Sequence, residues 1–104
     1  EILTGIDDVA APKVFTILPN TPNPFATRTT LRFGLATKSD VTIEVFDVAG
    51  HRVFADRLSG LPTGWRSYSF DGRDHEGELL SSGVYFYRVK TAAGTSTKKM
   101  VIAR

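Results

Sequence analysis

Cysteine is absent from the sequence. That excludes disulfides and thiolate chemistry, and it leaves the redox compartment open. No apolar run approaches the roughly twenty residues a membrane-spanning helix requires, so no membrane span is expected. No segment holds a helical apolar repeat through about three turns, so helix should be minimal, at most one short turn near Leu79-Leu80. Histidine is confined to His51 and His75, too few for a zinc site when no thiolate can supplement them. No serine lies in a Gly-x-Ser-x-Gly elbow, and a hydrolytic triad would find little room in so small a domain. No catalytic residue, cofactor or metal is therefore expected, and the enzyme reading is rejected. Excess charge is scarce as well. The net charge is +2, and Arg28, Arg32, Arg52, Arg57, Arg66, Arg73 and Arg88 are scattered along the chain. A nucleic-acid partner is not expected from that pattern.

What is present is ordinary for a globular fold: hydrophobic residues make up 41% and charged residues 23% of the 104, which excludes wholesale disorder. The chain opens at Glu1 and nothing at its front resembles a signal peptide, so it reads as a fragment, with export signals, if any, upstream. Residues 1–12 are polar, lack a period and end in Pro12; they are expected to be a linker or the tail of a preceding domain. From residue 13 to residue 104 short β-branched and aromatic runs alternate with Gly, Pro and Asp, an all-β signature.

Seven strands are predicted: 14–18, 29–35, 41–46, 52–58, 65–70, 84–91 and 96–103. The first should stop at the run Pro19-Asn20-Thr21-Pro22-Asn23-Pro24, where three prolines remove amide donors. Alternation puts Leu31, Phe33 and Leu35 on one face of the second strand, and Val41, Ile43 and Val45 on one face of the third. Asp47-Val48-Ala49-Gly50 fits a type I turn followed by a glycine at positive φ, and Thr91-Ala92-Ala93-Gly94 should repeat it. This spacing predicts an Ig-like antiparallel β-sandwich, with Trp65, Tyr85, Tyr87, Leu31, Phe33, Ile43, Val45 and Ile102 in its core.

The loop from Asp71 to Glu78 carries acids enough to suggest calcium, which takes several oxygen ligands. Its spacing is not that of an EF-hand, however, and Arg73 sits among the acids. The plainer account has Asp71 and Asp74 capping turn amides and pairing with Arg73. Trp65, Tyr68, Phe70, Tyr85, Phe86 and Tyr87 could form a sugar-binding platform, although strand aromatics are mostly core. Phe86 cannot share a face with its tyrosine neighbours, so one set should point outward. Lys98 and Lys99 protect an edge strand from stray pairing, and the same edge is where a partner could add a strand.

Four segments occur in a fixed order: "LPNTPNPF" at 18–25, "VTIEVFDVAGHRV" at 41–53, "LPTGWRSYSFDGRDHEGELLSSGVYFYRV" at 61–89 and "KKMVIAR" at 98–104. Together they resemble the C-terminal sorting domains of the type IX secretion system and the related Ig-like domain of the flagellar hook-capping protein. The resemblance spans residues 15–104. It implies a non-catalytic sandwich at the end of a larger exported protein, directing passage through the periplasm to the outer surface, followed by attachment or release. It implies two partners, the secretion machinery and a preceding cargo domain in the same chain. The family's Pro-Asn-Pro box falls on Pro22, Asn23 and Pro24, its Asp-x-x-Gly turn on Asp47 and Gly50, and its Gly-x-Tyr on Gly83 and Tyr85. Its terminal basic-hydrophobic strand falls on Lys98 to Ile102. The sequence departs from many relatives at Ala26-Thr27, where they carry a further Asn-Pro. Tyr85 should tie its loop to the core as a tyrosine corner does. The alternatives are a carbohydrate-binding module and an Ig-like structural spacer.

Overall fold

Leu31, Phe33 and Leu35 take every second position of one strand, and Val41, Ile43 and Val45 do so in the next, so each strand has one face that water disfavours. Two sheets must face each other to bury both. The structure, a computed structural model, describes residues 12–104. Its strands are β1 (Thr16–Thr21), β2 (Thr29–Leu35), β3 (Ser39–Phe46), β4 (Arg52–Leu61), β5 (Gly64–Phe70), β6 (Gly83–Thr91) and β7 (Gly94–Ile102). They form a three-stranded sheet ordered β1-β2-β5 and a four-stranded sheet ordered β4-β3-β6-β7, antiparallel at every pairing. The core between the sheets contains Leu31, Phe33, Ile43, Val45 and Tyr87, each fully enclosed, with Phe70, Met100 and Ile102 beside them.

The all-β sandwich inferred from alternation is what forms, with corrections at its margins. β1 does not stop at Pro19 but runs on to Thr21, its register with β2 shifting between Leu18 and Thr21. An edge strand tolerates proline because one side of it needs no donor. No helix occurs among the described residues, and Leu79 makes an isolated bridge with Arg73 instead of a helical turn. Trp65 is not in the core. It faces outward on β5 opposite Gly34, and a Cβ added at Gly34 would lie 3.0 Å from the indole and 2.5 Å from the ring of Pro12. Glycine is the residue that lets both rings approach the backbone this closely. Residues 1–11 of the expected linker lie outside the described residues; Pro12 itself packs on the sandwich.

The β3–β4 turn has the predicted bulged form. Gly50 sits at φ 87°, its amide bonded to the Asp47 carbonyl at 3.0 Å. The β6–β7 turn is tighter and does not repeat it. Thr91 and Gly94 pair directly around Ala92-Ala93, and the Thr91 hydroxyl accepts the Ala93 amide.

Candidate functional site

β7 lies at the rim of the four-stranded sheet, with β6 as its only strand neighbour among the described residues. The Pro-Asn-Pro box meets its far end. Asn23 Oδ1 accepts the Val101 amide at 2.9 Å, the Phe25 amide donates to the Val101 carbonyl at 3.0 Å, and the Ala103 amide donates to the Phe25 carbonyl at 2.9 Å. Phe25 is buried and meets Phe70 edge-on, with ring centroids 6.3 Å apart. The box itself is braced by the Pro22 carbonyl, which accepts the Thr29 hydroxyl at 2.8 Å and Asn20 Nδ2 at 3.3 Å. Both Thr21–Pro22 and Asn23–Pro24 are cis.

This clamp divides the terminal strand in two. In an extended strand the amide and carbonyl of a residue share one side, and the side alternates. Since Val101 turns both groups toward the box, Lys99, Thr97 and Thr95 turn theirs the same way, away from β6. The hydrophobic end of the motif is therefore enclosed, while its basic half stays on an unpaired edge among the described residues. Of the terminal basic-hydrophobic strand, Val101 is thus bonded to the box, and the unpaired stretch among the described residues is Thr95–Lys99. Lys98 and Lys99 also point to opposite faces. Lys98 pairs with inward-facing Tyr87 and is half-buried, whereas Lys99 pairs with outward-facing Phe86 and is exposed.

The remaining candidate residues gather mostly at the clamped end. Gly83 begins β6 opposite Ile102. Tyr85 buries its ring and donates its hydroxyl to the Ser81 carbonyl at 2.8 Å, closing the loop ahead of β6. Across a shallow depression from Ser81–Tyr85 stands the Asp47–Gly50 turn. Asp47 Oδ1 accepts the His51 and Ala49 amides at 2.9 and 3.0 Å, and these bonds, the His51 amide foremost, hold its carboxyl below the usual range. Asp71 is apart from the strand, exposed, with Arg73 Nε at 4.0 Å. In the acidic loop Asp74 accepts the Glu78 and Glu76 amides, which lower its pKa. That carboxylate is committed to turn geometry. The aromatic set divides between faces: Trp65 is outward on one sheet, Phe86 on the other, and Tyr68, Phe70, Tyr85 and Tyr87 point inward.

Three features escaped the sequence reading. Arg104 donates to the carbonyls of Leu80, Ala26 and Gly72 at 3.0, 2.6 and 2.9 Å, tying two loops to the strand's exit. Phe25 ends the 18–25 motif as its buried anchor, a role that local alternation does not reveal. Glu44, on the outward face of β3, is nonetheless only 3% exposed, held by Arg88 at 2.8 Å and Arg52 at 3.0 Å. The Arg88 hydrogen bond is the main reason its carboxyl stays below the ordinary value. Nothing in a period-two pattern distinguishes such an outward acid from a solvated one.

A family model, the secretion system C-terminal sorting domain, matches residues 21–103. The chain belongs to that family. The match takes in the clamp, the hairpin and the terminal strand together. Among solved structures it is similar to dimeric latent PorU from Porphyromonas gingivalis, with TM-score 0.69 and 22% identity over 86% of this chain and 9% of that one. PorZ, a surface component of the type IX secretion system of the same organism, gives TM-score 0.57 and 16% identity over 85% of this chain and 11% of that one. FlgD from Pseudomonas aeruginosa gives TM-score 0.61 and 21% identity over 88% and 78%. At these identities the likeness is one of fold. Comparison with curated protein sequences gives no match. The chain spans about a tenth of PorU and PorZ. Members of this family are sorting domains of secreted proteins that reach the outer cell surface, and a sorting signal is a non-catalytic part of its protein.

Proposed function

We propose that this sorting domain directs export of a preceding cargo domain, and its later surface attachment or release, through recognition of the open half of β7 by the secretion machinery. The observation that carries the reading is the position of β7 at the end of its sheet, with Thr95, Thr97 and Lys99 presenting backbone groups outward up to the clamp. A partner strand could add there by main-chain hydrogen bonds, with Lys99 fixing orientation by charge. The clamp would keep the edge short and in one register. The division of Trp65 from Phe86 between opposite faces weighs against a flat glycan platform.

The test fuses the whole chain to a periplasmic reporter, in a host with a type IX system and in the same host without it. Export only in the first, with the reporter on the surface or in the medium, supports the reading. A folded reporter retained in the periplasm of both hosts overturns it. Unchanged export of a natural cargo after deletion of the domain would favour a structural spacer.

A further inference from the structure

The four-stranded sheet collects on its outer face cations that are scattered in sequence. Register places Arg57, Thr42 and Lys90 in one cross-strand row, and Glu44 beside Arg88 in the next. Phe86 and Lys99 stand side by side in the row after that. With Lys38 at the rim and Arg52 over Glu44, the face holds six cationic side chains against the carboxylates of Asp40 and Glu44. Its net of +4 exceeds the +2 of the whole chain. The apparent scatter of basic residues is thus gathered by strand order.

At the end of this face remote from the clamp, the segment Thr37–Asp40 and the turn Ala92-Ala93 wall an open groove of about 600 Å³. Lys38 reaches across Gly60, whose added Cβ would lie 3.4 Å from Lys38 Cε, and Lys90 lies along the opposite wall. Neither lysine makes a salt bridge among the described residues. The nearby acids are already engaged: Asp40 accepts Arg57 at 2.9 Å and the Gly60 amide at 2.8 Å, and Glu44 sits between two arginines. The uncompensated charge faces outward.

We propose that this groove and the sheet face leading from it bind an extended acidic segment of a partner protein. The period carries the argument. Rows of a sheet recur about every 6.7 Å, and alternate side chains of an extended peptide recur at the same distance. A strand of alternating carboxylates laid on the face would meet Lys38 and Lys90 first, then the surplus charge of Arg88. Beyond Arg88, Val84 and Phe86 remain 36% and 37% exposed and offer apolar contact. A uniformly charged polyanion would gain nothing from those side chains, whereas a protein segment would bury them. Pro12, the first described residue, lies on the other sheet, against Gly34 beside Trp65.

The experiment uses the full chain, with a labelled ten-residue peptide of alternating glutamate and serine as probe, followed by fluorescence anisotropy and amide NMR shifts. Saturable binding is expected, with shifts confined to Lys38, Thr42, Arg57, Phe86, Arg88 and Lys90 on the groove and the outer face, weakening as salt rises. The double variant K38E/K90E should bind about tenfold more weakly or worse, while R32E on the opposite sheet binds as the parent does. Lys98 and Lys99 are untouched in these variants, so the outcome is independent of the export reading. If K38E/K90E fails to fold, the shift map and salt slope of the parent chain decide. Shifts on the three-stranded sheet, equal loss in R32E, or absence of saturation overturns the proposal. So does tighter binding of a sulfated hexasaccharide than of the peptide, which would assign the face to glycans. Movement of the Lys38 and Lys90 signals in D7N/D8N without probe would also overturn it, placing the chain's own acids in the groove.

Discussion

Asn23 Oδ1 accepts the Val101 amide at 2.9 Å, and this bond marks where the free edge of the four-stranded sheet stops. The bond joins residues far apart in sequence and leaves the strand amide no need of water. Asn23→Ala should therefore cost about 1 kcal/mol, the usual net worth of such a bond. The more telling readout is hydrogen exchange. The Val101 amide should lose protection while that of Tyr87 keeps it. Unchanged exchange at Val101 would remove Asn23 from the clamp.

Phe25 is the apolar half of the same device. Its ring is 3% exposed and meets Phe70 edge-on. Phe25→Ala should cost about 3 kcal/mol through lost burial and a cavity, more than Asn23→Ala by a clear margin. Chemical denaturation of the two variants side by side checks the order. Equal losses would mean that the loop closes over the cavity.

The strands and the inward face of each were legible because period-two alternation is local, and β2 was read to its exact ends at Thr29 and Leu35. The β3–β4 turn was legible for the same reason, since Asp47 and Gly50 act within five residues. Trp65 was misread because its surroundings depend on Gly34 in a neighbouring strand and on Pro12 folding back over both. The clamp's partners could not be paired from sequence either, because Asn23 and Val101 meet only once β7 has been placed at the rim. Arg52, Arg57 and Arg88 looked scattered for that reason too: cross-strand neighbours are set by strand order, which alternation does not encode.

Glu44 should make stability depend on pH. Its carboxyl is held below its value in the unfolded chain, chiefly by Arg88, so the ionised form stabilises the fold. That contribution is complete above about pH 4.5 and is lost as pH falls through the lower folded value. Asp47 and Asp74, lowered by turn amides, act in the same direction from below about pH 4. Glu44→Gln should cost about 1–2 kcal/mol near neutrality, since both arginines remain partly in water, and should flatten the acid slope. Melting curves from pH 7 to pH 3 for both proteins check this. A parallel pair of curves would show that Glu44 does not titrate with folding.

Gly50 isolates a backbone effect. It sits at φ 87° with no atom within 4 Å of an added Cβ, so Gly50→Ala meets no steric obstacle beyond its own conformation. The expected cost is about 1 kcal/mol, with the β3–β4 register kept. Thermal unfolding measures the cost, and cross-strand amide contacts report the register.

Lys98 and Lys99 are adjacent in sequence and opposed in space, which lets single variants separate structure from recognition. Lys98 shares the inward side with Tyr87, whose phenol is pushed up to about 12 by burial, so that neighbourhood is poorly hydrated. Lys98→Glu should lower the melting temperature by several degrees, through moving a carboxylate toward a buried ring. Lys99 lies on the outward face beside exposed Phe86, and Lys99→Glu should leave the melting temperature nearly unchanged. If the machinery reads charge beside the open edge, Lys99→Glu reduces export of a fused reporter while Lys99→Arg does not. An export defect that follows melting temperature across all three variants would instead make foldedness the quantity being read, and the edge would lose its part in recognition.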